Sequence, residues 1–246
     1  LSAPRQLQTS MCVRARSAKL AELKLALQRA ANALQLAVDE TAVERLLAYL
    51  VLLQKWNKVY NLTAVRDEHA MLSHHLYDCM ATVKPVRLKL ALSSPVPAQP
   101  KSSIPVLDVG AGAGLPGVVL AICEPRLQIC CIDAVEKKTA FLRQVIAELQ
   151  LPNLQAVHGR VEKHHAVYPS SKFALITARA FSSLAQFVEL TAPLLAEEGH
   201  WMAMKARDPA SEIAELPYSI DVFHVEHLAV PELDAARCLV WMKQRD

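Results

Sequence analysis

The residues best placed to do chemistry sit in one short loop. Four of the six glycines in this chain of 246 residues fall within Asp108-Val-Gly-Ala-Gly-Ala-Gly-Leu-Pro-Gly117. A glycine-poor protein has thus concentrated its permissive backbone at Gly110, Gly112, Gly114 and Gly117, where main chain can approach a ligand closely. The loop follows a short apolar segment, 104–109, and leads into a helical pattern that Pro116 can open. Strand, glycine loop and helix in that order hold nucleotide-type ligands at the carboxyl ends of strands. A turn with no ligand would need only one or two glycines.

The choice of nucleotide turns on two acids. Gly112 to Gly117 spells G-x-G-x-x-G, and Asp133 lies 21 residues beyond Gly112, near the spacing of a ribose-binding acid in a dinucleotide site. An NAD-dependent oxidoreductase is therefore one reading. Asp108, two positions before the first glycine, argues for another. A carboxylate there would repel a pyrophosphate, whereas the sulfonium and amino groups of S-adenosyl-L-methionine would be attracted to it. This reading places Asp108, Gly110, Gly112 and Gly114 around a methyl donor. Asp133 accepts hydrogen bonds from its ribose hydroxyls, and Val161 and Glu162 lie beside its adenine.

The elements that must position these residues follow from periodicity. Residues 18–36 and 40–60 carry Leu, Ala and Val at three- and four-residue spacing, with Thr41 and Glu44 forming a capping box for the second helix. After a turn at Asn61-Leu62-Thr63, Asp67 caps a third helix running to about Val83, with His74 and His75 near its middle. Residues 84–103 hold four prolines and four serines without apolar rhythm and read as an exposed connector. From residue 104 short β-branched runs alternate with helical segments. Strands are expected at 104–109, 127–132, 154–157, 173–178, 200–205, 220–229 and 237–243, and helices at 116–123, 136–150, 183–195 and 209–216. Such alternation implies an α/β, Rossmann-like fold with a mostly parallel seven-stranded sheet covered on both faces and an antiparallel hairpin at one edge.

Composition narrows the setting. The chain is 52% apolar and 21% charged, which excludes disorder and a fibrous fold. No run reaches the roughly 18 apolar residues of a membrane span. Six cysteines form no C-x-x-C pair, so free thiols in a reducing cytoplasm are expected rather than a zinc site or a disulfide framework. Net charge is only +3, yet residues 1–186 hold 22 Lys and Arg against 13 Asp and Glu, and residues 187–246 hold 5 against 11. Six bases and one acid in the first 30 residues suit a polyanionic partner such as nucleic acid, and a non-catalytic RNA-binding protein is a second alternative.

Several segments together resemble the small-subunit ribosomal RNA guanine-N7 methyltransferases, the glucose-inhibited division protein B family. They are Trp56-Asn-Lys-Val-Tyr-Asn-Leu-Thr63, His75-Leu-Tyr-Asp78, the Asp108–Gly117 loop, Phe141-Leu-Arg143, Arg160-Val-Glu162 and Ala178-Arg-Ala-Phe181. The resemblance spans about residues 18–243. It implies S-adenosyl-L-methionine-dependent methylation of N7 of one guanine in the decoding-region loop of 16S rRNA, in the small ribosomal subunit or its precursor, by a cytoplasmic monomer. It puts the donor at Gly110, Leu115, Val161, Glu162 and Arg179. The chain departs from the family pattern at Cys79, at Ala206 after Lys205, and at Ala235-Ala-Arg-Cys238.

Four parts are expected: a basic N-terminal tail (1–17), a helical section (18–83), the connector (84–103) and the methyltransferase domain (104–246). For RNA docking the candidates are Arg66, His75, Arg179 and Lys205 with the basic front helix, because phosphate contacts dominate nucleic-acid affinity. Arg179 and Lys205 fall at strand C-termini, the ligand edge of such a sheet. His75 reads alternatively as a buried histidine bonded to Asp78. Trp56 and Tyr60 read as core, and Lys137, Lys138 and Arg143 as a solvated helix face. His158, His164 and His165 lack the carboxylate or cysteine pattern of a metal site.

Overall fold

The structure, a computed structural model, describes residues 3–92, 103–163 and 172–245, with side chains from residue 18 onward. Helix α1 (Ala3–Ala33) and α2 (Glu40–Tyr60) form the front. The expected tail 1–17 is thus helical from Ala3 and continuous with the first helix. Asp39, rather than Thr41, caps α2 by accepting the Ala42 N–H at 2.7 Å, because the helix starts two residues earlier than the capping-box pattern implies. Leu46, Leu50 and Leu53 recur along one side of α2 and are fully buried. Each contributes about 1.5–3 kcal/mol of burial free energy.

Asp67 caps the next helix as expected, but that helix is not uniform. It runs as α3 (Glu68–Met71), a π-helical stretch (Leu72–Tyr77) and α4 (Asp78–Met80), followed by α5 (Val83–Lys89). The start of the expected connector is therefore helical. Pro85 lies in the first turn of α5, where its missing N–H costs nothing, and it is buried together with Val86. Most of the remaining connector lies outside the described residues.

Strands β1 (Ile104–Val109), β2 (Leu127–Asp133), β3 (Leu154–His158), β4 (Phe173–Arg179), β5 (Leu195–Lys205), β6 (Ile220–His227) and β7 (Cys238–Gln244) make one sheet in the order β3-β2-β1-β4-β5-β7-β6. Only β7 runs opposite to the other six strands, and it forms the expected edge hairpin with β6. Helices α6 (Gly117–Cys123), α7 (Glu136–Leu149), α8 (Leu184–Thr191) and α9 (Ala210–Ala214) connect the strands.

Strand alternation divides the core in two. Val106, Ile129 and Cys131 pack with α6, α7 and the front helices, while Leu107, Cys130 and Ile132 pack with α8 on the opposite face. Strand order reverses between β1 and β4, so the ligand edge lies at the carboxyl ends of these two strands.

A charged cluster joins the front helices to the sheet. Glu124, fully buried, accepts from Arg87 Nε of α5 at 2.9 Å and from Arg126 Nε at 2.6 Å and Nη2 at 2.8 Å. Burial raises the carboxyl pKa, but Arg126 and Arg87 outweigh it and hold the group below its ordinary value. The ion cluster therefore contributes stability above the unfolded value of 4.5 and loses it as pH falls through the lower folded value. Glu124→Gln is expected to reduce unfolding free energy by about 3 kcal/mol at pH 7 in urea titrations, since two guanidiniums lose their counter-charge. The gap between variant and native protein should narrow below pH 4.5, and equal midpoints at pH 7 would contradict the assignment.

Candidate active site

The glycine loop takes the backbone shape its composition predicts. Gly110, Gly112 and Gly114 have φ of +64°, +60° and +90°, which side-chain-bearing residues rarely adopt. At Gly114 an added Cβ would also stand 2.4 Å from Val118 Cγ2 and 2.5 Å from Leu142 Cδ2, so this glycine lets the loop settle onto α6 and α7.

Side chains from three elements hold the loop. Asp133, at the end of β2, accepts the Gly112 N–H at 2.9 Å through Oδ2 and the Val135 N–H at 2.8 Å through Oδ1. Tyr49 of α2 donates its hydroxyl to the Ala113 carbonyl at 2.8 Å. Asp108 Oδ2 accepts the Gly117 N–H at 2.9 Å, with the Cys131 thiol at 3.8 Å. Asp108 is fully buried and does not line the cleft described below. Its side chain points to the sheet face covered by α6, where the Gly117 N–H takes up Oδ2 while Oδ1 is buried without a hydrogen-bond partner. Burial pushes its carboxyl up to about 7, against the opposing pull of the Gly117 N–H and Arg179. The carboxylate expected beside a ligand cation therefore acts on the loop from beneath.

A cleft of about 490 Å³, within the usual range of small-molecule sites, opens beside the loop. Gly110, Gly112, Leu115, His75, Arg179 and Lys205, all singled out in the sequence, line it together. Asp78, Thr63, Lys138 and Arg237 line it too and were not among the site candidates. Buried Asp78 is bound on both sides, to Arg179 Nη1 through Oδ2 at 3.3 Å and to Arg237 Nε through Oδ1 at 3.1 Å. Arg179 also donates to the His74 carbonyl at 3.0 Å. Lys205 Nζ meets Glu212 Oε2 at 2.6 Å. Lys138 is not simply solvated, since its Nζ stands 3.6 Å from Asp133 Oδ2.

His75 sits in the π-helical stretch, a distortion frequent at functional sites. It is buried, and its partner is Thr63, not Asp78, with Nε2 and Oγ1 2.8 Å apart. Its Nδ1 is buried without a hydrogen-bond partner. Burial, then the Arg179 charge, lowers its pKa to about 4. A neutral, enclosed ring of this kind is a poor phosphate ligand, and the expected role in phosphate docking is corrected accordingly.

Other candidates fall elsewhere. Val161 is buried in the core on the α8 face, and Glu162 is exposed with Arg160 Nη1 at 3.7 Å. Arg66 is exposed, donates to Asn61 Oδ1 at 2.7 Å, and lines a neighbouring cavity with Lys19 and Lys58. Tyr60, expected in the core, is 42% exposed. Among the described residues no cluster of His, Cys, Asp and Glu could hold a metal ion; His164 and His165 lie outside them. The five described cysteines are free, as expected. Among the described residues no helix is long and apolar enough to cross a membrane.

Residues suited to the donor are present. The main chain of Gly110–Ala113 forms one wall of the cleft, and Asp133 stands at the β2 end with Lys138 beside it. Residues 42–240 match the family model described as rRNA small subunit methyltransferase G. Ribosomal RNA small subunit methyltransferase G of Albidiferax ferrireducens is 50% identical over 224 residues, covering 91% of this chain and 98% of that protein. Its counterpart from Leptothrix cholodnii is 52% identical over 215 residues, covering 87% and 93%. The solved structure of an MtNAS variant shares the fold, with a TM-score of 0.51 and 10% identity over 84% of this chain and 75% of that one. With half of its residues shared across nearly the whole of such relatives, the chain belongs to the rRNA small subunit methyltransferase G family.

Proposed function

We propose that the chain transfers the methyl group of S-adenosyl-L-methionine to N7 of one guanine in the decoding-region loop of 16S rRNA, within the small ribosomal subunit or its precursor. It acts in the cytoplasm as a monomer. Family membership favours this over the dinucleotide and non-catalytic alternatives.

The observation that carries the reading is the make-up of the cleft, which joins the glycine loop to the cations Lys138, Arg179, Lys205 and Arg237. Asp78 is held between two guanidiniums, and His75 has a pKa of about 4. Guanine N7 presents an in-plane lone pair and carries no proton, so its attack on a methyl group needs none removed. Catalysis then rests on placement, which can supply several kcal/mol by turning an encounter into an oriented contact.

The bound donor supplies an electrophilic methyl group. Gly110, Gly112, Gly114 and Leu115 shape its pocket, Asp133 faces its ribose, Val161 and Glu162 flank its adenine, and Asp108 acts through the loop. Arg179 borders both donor and base. Lys205, Arg237 and, outside the cleft, Arg66 contact RNA phosphates. His75 lines the base-binding end in its neutral form.

Incubating undermethylated small ribosomal subunits with labelled donor and mapping the product tests this directly. One N7-methylguanine in the decoding-region loop is expected, and label confined to another base or to protein would refute the reading. His75 offers a second check. Its folded pKa lies below the ordinary histidine value of 6.5, so it remains neutral as pH falls through the range in which unfolded histidine gains a proton, and the folded state loses stability between about 6.5 and 4. In NMR titrations its ring resonances should stay fixed down to pH 5; a midpoint near 6.5 would contradict the enclosed, uncharged ring.

A further inference from the structure

We propose that the open face of Tyr60 is a stacking platform for an unpaired base of the RNA strand leading to the cleft; this rests on the rRNA reading above. Tyr60 is the last residue of α2 and is 42% exposed. Its ring lies against Trp56, with centroids 5.0 Å apart and planes at 34°. Trp56 in turn meets Phe141 edge-on at 5.6 Å, and Phe141 lies 6.2 Å from Tyr49, whose hydroxyl holds the Ala113 carbonyl. Four rings thus run from the glycine loop to the surface, and the outermost is buttressed from within.

Position and charge identify the occupant. Asn61, at φ +50°, turns the chain directly from Tyr60 into Leu62 and Thr63, which line the cleft. Tyr60 therefore stands at its rim. The surrounding segment is cationic: Lys55, Lys58 and Arg66 are exposed, and no Asp or Glu occurs between Arg45 and Arg66. An exposed ring among cations is the combination that binds single-stranded RNA, since bases stack on the ring while the cations follow the phosphates. Among the described residues the Tyr60 hydroxyl has no hydrogen-bond partner, so neither donor pocket nor fold depends on it.

Steady-state methylation of undermethylated small ribosomal subunits by the full chain tests the proposal with Tyr60→Leu and Tyr60→Trp. Leucine keeps apolar bulk against Trp56 but offers no aromatic face, whereas tryptophan keeps both. The Leu variant should raise KM for the subunit roughly tenfold, with kcat and donor affinity unchanged, and the Trp variant should stay within about twofold of the native value. The proposal is overturned by an unchanged KM in the Leu variant, by an equal loss in both variants, or by a loss confined to kcat. If the native chain itself transfers no methyl group to RNA, the functional reading beneath the proposal fails, and the two failures are told apart.

Discussion

The site depends on one mechanical constraint: a glycine loop with three left-handed residues must be held in a single shape. Such a loop has more conformational freedom to lose on folding than any other segment of its length. Three hydrogen bonds from separate elements restrict it, from Asp133 of β2 to Gly112, from Asp108 of β1 to Gly117, and from Tyr49 of α2 to Ala113. Each bond alone contributes about 1 kcal/mol, but together they fix the middle of the loop and its C-terminal end. The front helices therefore belong to the site, because Tyr49 holds a loop residue that lies 64 positions further along the chain. The Glu124 cluster ties α5 to the opposite end of the sheet through Arg87.

Charge in the cleft follows a consistent plan. Asp78 is shared by Arg179 and Arg237, and Lys205 is matched by Glu212. Pairing fixes the long cationic side chains before substrate arrives, which lessens the ordering cost at binding. It also leaves Asp78, the carboxylate that lines the cleft, committed to two guanidiniums. His75 fits the same plan, as Arg179 helps to keep it uncharged.

Much of this architecture is legible in the sequence. The seven strands announce themselves as β-branched runs between helical segments, and their observed bounds differ from expectation mainly in β5, which begins at Leu195 rather than at residue 200. The glycine loop was visible from composition alone. Other features were not, for physical reasons. Asp78 and Arg237 are 159 residues apart, so no spacing pattern joins them. The π-helical stretch at Leu72–Tyr77 preserves an ordinary helical apolar rhythm and leaves no mark in the residues. The placement of Asp108 depends on strand alternation, which turns its side chain beneath the loop. Tyr60, at helical spacing from Trp56, reads as core because such aromatic residues are usually buried; its place at the end of α2 exposes it.

The central claim is that this loop is shaped for a sulfonium-bearing methyl donor and not for a diphosphate. Calorimetric titration of the native chain with S-adenosyl-L-methionine and, separately, with NADH tests it most directly. Saturable binding of the donor at one site per chain, with no heat from NADH, is the predicted result. Saturable binding of NADH with none of the methyl donor would contradict the account.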